Sequence, residues 1–220
     1  MDTLTESRHR YLCVDGPIAV GKTTLSRMLS EHYGARLVLE EFDENPFLRE
    51  FYQDPHGAAF QTQIYFLISR YQQQLELLQQ ELFRPTIVSD YLFAKDRIFA
   101  YMNLNEEEIG LYEKIYDILH PKLLKPDLVI YLKADPKTLV QRMKKRGREF
   151  ETSVKKAYLE KLMAGYNGYF RHYDESPLLV LDTSYVDFEK SPNDFQYIIE
   201  IIEGHTEGHK HLTPNKPHSG

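Results

Sequence analysis

Short apolar runs divide the chain, and the segments between them carry apolar residues three or four positions apart. Short continuous apolar runs are typical of buried strands, whereas the wider spacing is typical of helices. The predicted strands cover residues 11–14, 36–41, 86–90, 128–132 and 178–182. The predicted helices cover 24–33, 46–52, 57–82, 91–101, 105–120, a segment starting at 136, 153–173 and 192–203. This alternation predicts an α/β fold, with a five-stranded parallel sheet flanked by helices on both faces.

The pattern predicts one domain over residues 1–204. A chain of 220 residues can bury one substantial core, and no repeat or linker interrupts it. After Gly204 the composition changes to Gly, His, Pro and Lys without apolar periodicity, which predicts a disordered tail over 205–220. The four histidines of this tail could suggest a metal site, but nothing around them would preorganise ligands, so a flexible polar tail is favoured.

Composition and charge limit the class of protein. The formal net charge of −6 argues against a nucleic acid or an anionic membrane as a partner. Cys13 is the only cysteine, so no intrachain disulfide can form, and a reducing compartment is favoured. No apolar run approaches about 18 residues, and the first ten residues are polar, so neither a membrane span nor a secretory signal is expected. We expect a soluble, cytoplasmic protein.

One motif lies between the first predicted strand and the first predicted helix. Residues 16–23 match G-x-x-x-x-G-K-T, the phosphate-binding loop pattern. Glycines let backbone N–H groups approach phosphates, and the following helix start adds a partial positive charge. Lys22 would reach the outer phosphates, and Thr23 would offer its hydroxyl to Mg²⁺. The residues expected to bind ATP here are Gly16, Pro17, Ile18, Ala19, Val20, Gly21, Lys22, Thr23 and Thr24.

A basic segment follows the fourth predicted strand. Arg142 and Arg146 lie one helical turn apart, and Arg148 follows a glycine. Guanidinium groups on a mobile lid suit the charge of a transferred phosphoryl group and would exclude water. The alternative is a basic helix end that complements the helix dipole.

Carboxylates close two of the predicted strands. Glu40 and Glu41 end the second strand and Asp90 ends the third, at the edge where open parallel sheets bind ligands. One glutamate could accept a proton from an attacking hydroxyl, and Asp90 could hold magnesium. Solvated acidic residues and a turn aspartate are the alternatives.

With these motifs, the chain resembles deoxynucleoside kinases of the deoxycytidine, deoxyguanosine and deoxyadenosine kinase family, especially bacterial purine deoxynucleoside kinases. The resemblance covers about residues 11–203 and includes Glu44-Asn45-Pro46-Phe47 and the segment 60–70. It implies a P-loop kinase fold with an arginine-rich lid, in which Glu40 activates the substrate 5′-hydroxyl. The other residues it implies are Gln63 at the base edge, Arg70 and Asp96 at the far end of the base, Tyr52 and Glu151 at the sugar 3′-hydroxyl, and Asp187 and Phe188 around the donor adenine.

The chain departs from this family at one position. The family usually carries an acidic residue followed by arginine after the third strand, whereas Asp90 is followed here by Tyr91. A tyrosine cannot supply that positive charge. Either Lys95, Arg97 or a lid arginine supplies it, or the 5′-hydroxyl is held differently.

The expected activity is magnesium-dependent transfer of the γ-phosphoryl group of ATP, or another nucleoside triphosphate, to the 5′-hydroxyl of a deoxynucleoside. Deoxyguanosine and deoxyadenosine are the expected acceptors, and the pathway is nucleotide salvage. The resemblance also implies a homodimer formed through the helices that start at Gly57 and Glu106. A thymidylate-type monophosphate kinase, which would need a further basic pocket, and a non-catalytic subunit with the same fold are the alternatives.

Overall fold

The computed structural model describes residues 7–42, 44–80, 86–147, 154, 156–184 and 186–212. These residues form a parallel sheet between two layers of helices. The strands are β1 (Tyr11–Asp15), β2 (Arg36–Val38), β3 (Ile87–Ser89), β4 (Leu128–Lys133), β5 (Leu178–Asp182) and β6 (His209–Leu212). The helices are α1 (Lys22–Tyr33), α2 (Leu48–Gln53), α3 (Pro55–Gln80), α4 (Lys95–Asn103), α5 (Glu106–Leu119), a 3₁₀ turn (His120–Lys122), α6 (Pro136–Arg146), α7 (Lys156–Arg171) and α8 (Pro192–Gly204).

The strand order places β1 in the interior of the sheet. The order is β2-β3-β1-β4-β5-β6, and every neighbouring pair is parallel. After β1 the chain runs to the edge at β2, returns to β3, and then crosses β1 to reach β4. The connections that follow β1 and β3 therefore lead to opposite sides of β1. A crevice opens at such a switch point, at the carboxyl end of the strands, where open α/β sheets bind ligands.

The prediction of five strands is wrong, because the sheet has six. The prediction of a disordered tail from residue 205 is wrong as far as residue 212. Here β6 forms the sixth strand and pairs with β5 from Leu178 opposite His209 to Leu181 opposite Leu212. Three of its four side chains are exposed. Main-chain hydrogen bonds to β5 therefore hold this edge strand, and its sequence needs no apolar alternation. Residues 213–220 lie outside the described residues.

Alternate strand residues fill two separate cores, one on each face of the sheet. Leu12 and Val14 pack with apolar residues of α1, α6 and α8, whereas Tyr11 and Cys13 pack with residues of α3, α4 and α7. This period of two is what a strand covered on both faces requires. Because helices cover both faces of the sheet, the ends of the strands are where polar functional groups can meet a ligand.

A third apolar cluster lies outside the second core and joins α2, α3, α4 and α5. Phe51, Leu67 and Tyr112 are buried in it. The cluster fixes α3 and α4 relative to the carboxyl ends of the strands. Among the described residues, no helix combines the length and apolarity needed to span a membrane.

Local sequence signals explain where the helices near the site begin and end. Asn105 and Glu108 form a reciprocal capping box at the start of α5, and the Asp135 side chain caps α6. Gly147 ends α6 in the left-handed conformation, with φ of 68°. The helix α6 therefore ends directly after Arg146, the second of the three arginines predicted to form the lid.

Candidate active site

The phosphate-binding loop has a backbone that its sequence makes possible. Gly16 has φ of 151°, Ala19 of 61° and Gly21 of 110°, all in the region that favours glycine. A Cβ atom on Gly16 would lie 2.3 Å from the carbonyl oxygen of Leu132. Glycine is therefore required at position 16 on steric grounds. The loop ends at the N-terminus of α1, as the motif predicts.

Two cations hold the loop. The Lys22 ammonium donates to the carbonyls of Gly16 at 2.8 Å and Pro17 at 3.1 Å. Burial, together with the nearby charge of Lys95, lowers the pKa of Lys22 to about 8. Arg142 of α6 donates to the carbonyl of Val20 at 3.0 Å, and also to Thr183. Arg142 thus supports the loop from the side of α6.

A pair of hard oxygen ligands lies beside the loop. The Thr23 hydroxyl donates to Asp90 Oδ2 at 2.6 Å, and Asp90 is buried. Mg²⁺ prefers oxygen ligands and usually keeps several waters while binding one or two protein groups and substrate phosphates. Over its described ranges, the structure has no group of three His, Cys, Asp or Glu side chains placed to hold a metal ion by themselves. The Thr23–Asp90 pair fits a magnesium ion that is shared with a triphosphate.

Glu40 lies just beyond β2, which ends at Val38 rather than at the predicted residue 41. Its backbone N–H donates to Asp90 Oδ1 at 2.7 Å, which fixes the position of the residue. Its Oε1 accepts from Arg70 Nε at 2.9 Å and Nη2 at 2.5 Å, and its Oε2 accepts from Lys95 Nζ at 2.7 Å. Burial alone would raise the pKa of Glu40, but the charges of Lys95 and Arg70 hold it well below its usual value.

A second polar cluster surrounds Asp96, which is fully buried. Gln63 donates through Nε2 to the Asp96 carbonyl at 3.0 Å and to its carboxylate. Arg70 pairs with Oδ2, and the Tyr112 hydroxyl donates to Oδ1 at 3.0 Å. The structure therefore brings Gln63, Arg70 and Asp96 together, and their role at a base remains a prediction. Arg70 also links this cluster to Glu40.

One cavity runs from the phosphate loop to the Asp96 cluster. At the loop end its walls include Lys22 and Glu40, and at the far end they include Gln63. Aromatic side chains form much of the wall between, with Tyr52 and Phe66 among them. A cleft with apolar walls and polar groups at both ends suits a nucleoside, which has the polar edge of a flat base at one end and the sugar hydroxyls at the other.

A second cavity lies on the other side of the loop. Asp187 and Phe188 line it together with Arg142, and their place around a donor adenine remains a prediction. Lys22, Thr23 and Arg146 line both cavities. Arg146 is exposed. Two ligands bound in the two cavities would therefore meet at these three residues.

The departure after the third strand has a structural answer. Tyr91 is fully buried, and Lys95 Nζ lies 5.8 Å from the centroid of its ring. Arg97 pairs with Glu113 instead of facing the cavity. Of the two candidate substitutes on α4, Lys95 is therefore the one that contacts Glu40. The predicted site residues Arg148 and Glu151 lie outside the described residues.

Asp15 is a site residue that the sequence analysis missed. It ends β1, is fully buried, and accepts from the backbone N–H groups of Gly16 at 2.6 Å and Leu92 at 2.9 Å. Burial raises its pKa, although nearby lysines oppose the shift. It ties the loop to the segment after β3. A third carboxylate closing a strand, like those at 40 and 90, was the available signal.

Comparisons with known proteins agree with this geometry. A family model described as deoxynucleoside kinase matches residues 12–207. A deoxyguanosine kinase from Bacillus subtilis is 35% identical over 88% of this chain and 96% of its own length. A deoxyguanosine kinase from Lactobacillus acidophilus is 32% identical over 87% of this chain and 88% of its own length. A solved structure of deoxyadenosine kinase from M. mycoides with dATP bound is 27% identical, with a TM-score of 0.74 over 88% of this chain and 99% of that one.

Proposed function

The chain belongs to the deoxynucleoside kinase family, and on this basis we propose that it transfers the γ-phosphoryl group of magnesium-bound ATP to the 5′-hydroxyl of a purine deoxynucleoside. The kinase activity itself follows from the family. The purine preference is supported by relatives named deoxyguanosine kinase and deoxyadenosine kinase. Neither a monophosphate kinase nor a non-catalytic subunit is favoured by these similarities.

One observation carries the proposed mechanism. The Glu40 carboxylate lines a cavity that has Gln63 at one end and Lys22 and Thr23 at the other. A nucleoside whose base lies at Gln63 would extend its sugar towards the loop. Its 5′-hydroxyl would then approach Glu40 and the terminal phosphate of a triphosphate held by the loop. Positioning of this kind is the main contribution of enzymes that transfer phosphoryl groups.

Each residue near the junction has a task in this proposal. Glu40 accepts the proton of the 5′-hydroxyl, and Lys22 and Arg146 neutralise the charge of the phosphoryl oxygens. Thr23 and Asp90 hold magnesium, which supplies further neutralisation of the β- and γ-phosphates when bound. Tyr52 lines the acceptor cavity, where it supports the proposed contact with the sugar. Arg148 and Glu151 keep the lid and sugar roles that the family resemblance implies.

We also propose that the protein is a cytoplasmic homodimer. Apolar side chains are exposed on α3 and α5: Ile68 at 43%, Leu111 at 49% and Ile118 at 62%. These two helices contact each other, and they are the pair expected to form the dimer. Leu111→Glu should convert the dimer to a monomer in sedimentation at micromolar concentration. A wild-type chain that sediments as a monomer would contradict the proposal.

The activity is tested with a panel of the four common deoxynucleosides, with ATP and magnesium, and with chromatography of the monophosphate products. We expect the highest kcat/KM on deoxyguanosine or deoxyadenosine. Glu40→Gln should lower kcat about 10²-fold or more, because a carboxamide cannot accept the proton. Glu41→Gln, one position along the same loop, is the matched control and should keep wild-type turnover. Equal turnover of the two variants would refute the base role.

A parallel reaction separates the kinase classes. Deoxynucleoside monophosphates replace deoxynucleosides as acceptors under the same conditions. Faster phosphorylation of the monophosphates would favour the thymidylate-type alternative and would refute the assignment of Glu40 to a 5′-hydroxyl.

A further inference from the structure

One of the two cations that neutralise the proposed base is a buried lysine, Lys95. Lys95 is the first residue of α4, is 3% exposed, and places Nζ 2.7 Å from Glu40 Oε2. It lines the acceptor cavity together with Lys22. Among the described residues, Glu40 is the one hydrogen-bond acceptor of its ammonium. A buried charge of this kind is costly, so its presence calls for a function beyond packing.

Glu40 cannot be an effective base while both its oxygens are held by cations. Accepting a proton requires one oxygen to be released, since a carboxylate stabilised by two positive charges is weakly basic. Arg70 is fixed on its other side by Asp96 and by the Phe66 ring, 4.8 Å from its guanidinium carbon. Over the described ranges, Lys95 forms no second ion pair of this kind, and Asp15 acts on it only as a nearby charge. Lys95 is therefore the cation that can leave.

The surroundings of Lys95 indicate where it would go. Charged groups that interact with it are Glu40, Lys22 and Asp15, from the loop after β2, from α1 and from β1. Arg70 of α3 and Asp90 after β3 face the same cavity. Lys22 and Lys95 repel each other across this space. A phosphate group between them would remove the repulsion and would attract both ammonium groups.

We propose that Lys95 is a catalytic residue that exchanges partners: it neutralises Glu40 before the donor binds and then contacts the transferred phosphoryl group. This inference rests on the kinase function proposed above. As Lys95 turns to the phosphoryl oxygens, Oε2 of Glu40 accepts the proton of the 5′-hydroxyl. The bond from the 5′-oxygen to the γ-phosphorus forms, the bond from that phosphorus to the β,γ-bridging oxygen breaks, and its electron pair leaves with ADP. Donor binding thereby activates the base.

The decisive variant is Lys95→Met, which removes the charge and keeps the length of the side chain. We expect kcat to fall about 10²-fold, the cost of removing one group that stabilises transition-state charge, with KM for the deoxynucleoside within about threefold. Calorimetry gives a readout without turnover. The product monophosphate should bind at least about tenfold more weakly than to wild type, whereas the deoxynucleoside should bind within about threefold. Lys95→Arg should restore most of the monophosphate affinity.

Arg97→Met is the matched control, since Arg97 lies on the same helix but pairs with Glu113. It should leave both affinities and kcat unchanged. If the methionine variant does not fold, Lys95→Gln provides the same two affinities. If the wild-type enzyme is active and the folded Lys95 variant binds the monophosphate as tightly as wild type does, the inference is overturned. Absence of wild-type turnover on all deoxynucleosides would instead refute the proposed function.

Discussion

Asp96→Asn tests the polar cluster that closes the far end of the acceptor cavity. The wild-type carboxylate faces three donors: Gln63 Nε2, the Tyr112 hydroxyl and Arg70 Nη1. An asparagine keeps the shape but replaces one acceptor oxygen with an NH₂ donor. Whichever way this amide is turned, its NH₂ group points at another donor. Because asparagine is neutral, the substitution also removes the negative charge that pairs with Arg70.

The magnitude follows from burial. Asp96 is 0% exposed and Arg70 is 4% exposed, so water cannot replace the lost partner. Breaking a buried ion pair by neutralising one side costs about 3–5 kcal/mol. The remaining pairing of Arg70 with Glu40 keeps the guanidinium partly compensated, which favours the lower value, about 3 kcal/mol. For a chain of this length, that predicts a fall in melting temperature of roughly 6–12 °C.

Two measurements test the expectation. Thermal unfolding followed by circular dichroism gives the stability, with Asp117→Asn as control because that side chain is 71% exposed and should change stability by less than about 0.5 kcal/mol. Steady-state kinetics should give a KM for the deoxynucleoside raised about tenfold or more, with KM for ATP within about twofold. A variant that melts with wild type and keeps its KM would refute the account of Asp96 as a buried anchor of the base end.

Three further predictions concern the loop and the helices. Gly16→Ala should abolish ATP binding or folding, because its Cβ atom would lie 2.3 Å from the Leu132 carbonyl oxygen at φ of 151°; calorimetry and thermal unfolding check this. Gly168→Ala, in α7 with nothing within 4 Å of the added Cβ, should stabilise the protein by about 0.5–1 kcal/mol in urea unfolding. Since the pKa of Lys22 is lowered to about 8, ATP affinity should fall as pH rises above 8, by up to about tenfold per unit, and binding there should take up protons.

The sequence predicted those parts of the molecule that depend on local patterns. The loop motif fixes its own backbone through Gly16 and Gly21, and strand ends at one edge of a parallel sheet bring Glu40 and Asp90 together without further information. The predicted second strand was three residues too long, because hydrogen bonding of Glu40 N–H to the Asp90 side chain replaces the ladder there.

Two errors had a non-local cause. A run of glutamines in a long helix predicts exposed side chains, yet Gln74 in this run is 1% exposed and donates to the Tyr11 hydroxyl at 3.0 Å. The partner belongs to a strand 63 positions away, so no helical pattern indicates it. The strand β6 was missed for the same kind of reason, since β5 supplies its hydrogen bonds and its own side chains are mostly exposed.

The pair Tyr91 and Lys95 shows why a missing charge in a motif does not imply a missing charge in the site. A cation reaches Glu40 from the first residue of α4, four positions after Tyr91, because Nζ of a lysine extends far from its backbone. Tyr91 itself is 0% exposed, so an arginine there would have to enter a filled core. The tyrosine ring instead packs beside the lysine ammonium at 5.8 Å. Tyr91 therefore fills the core at its position, and Lys95 brings to Glu40 the positive charge that a tyrosine cannot supply.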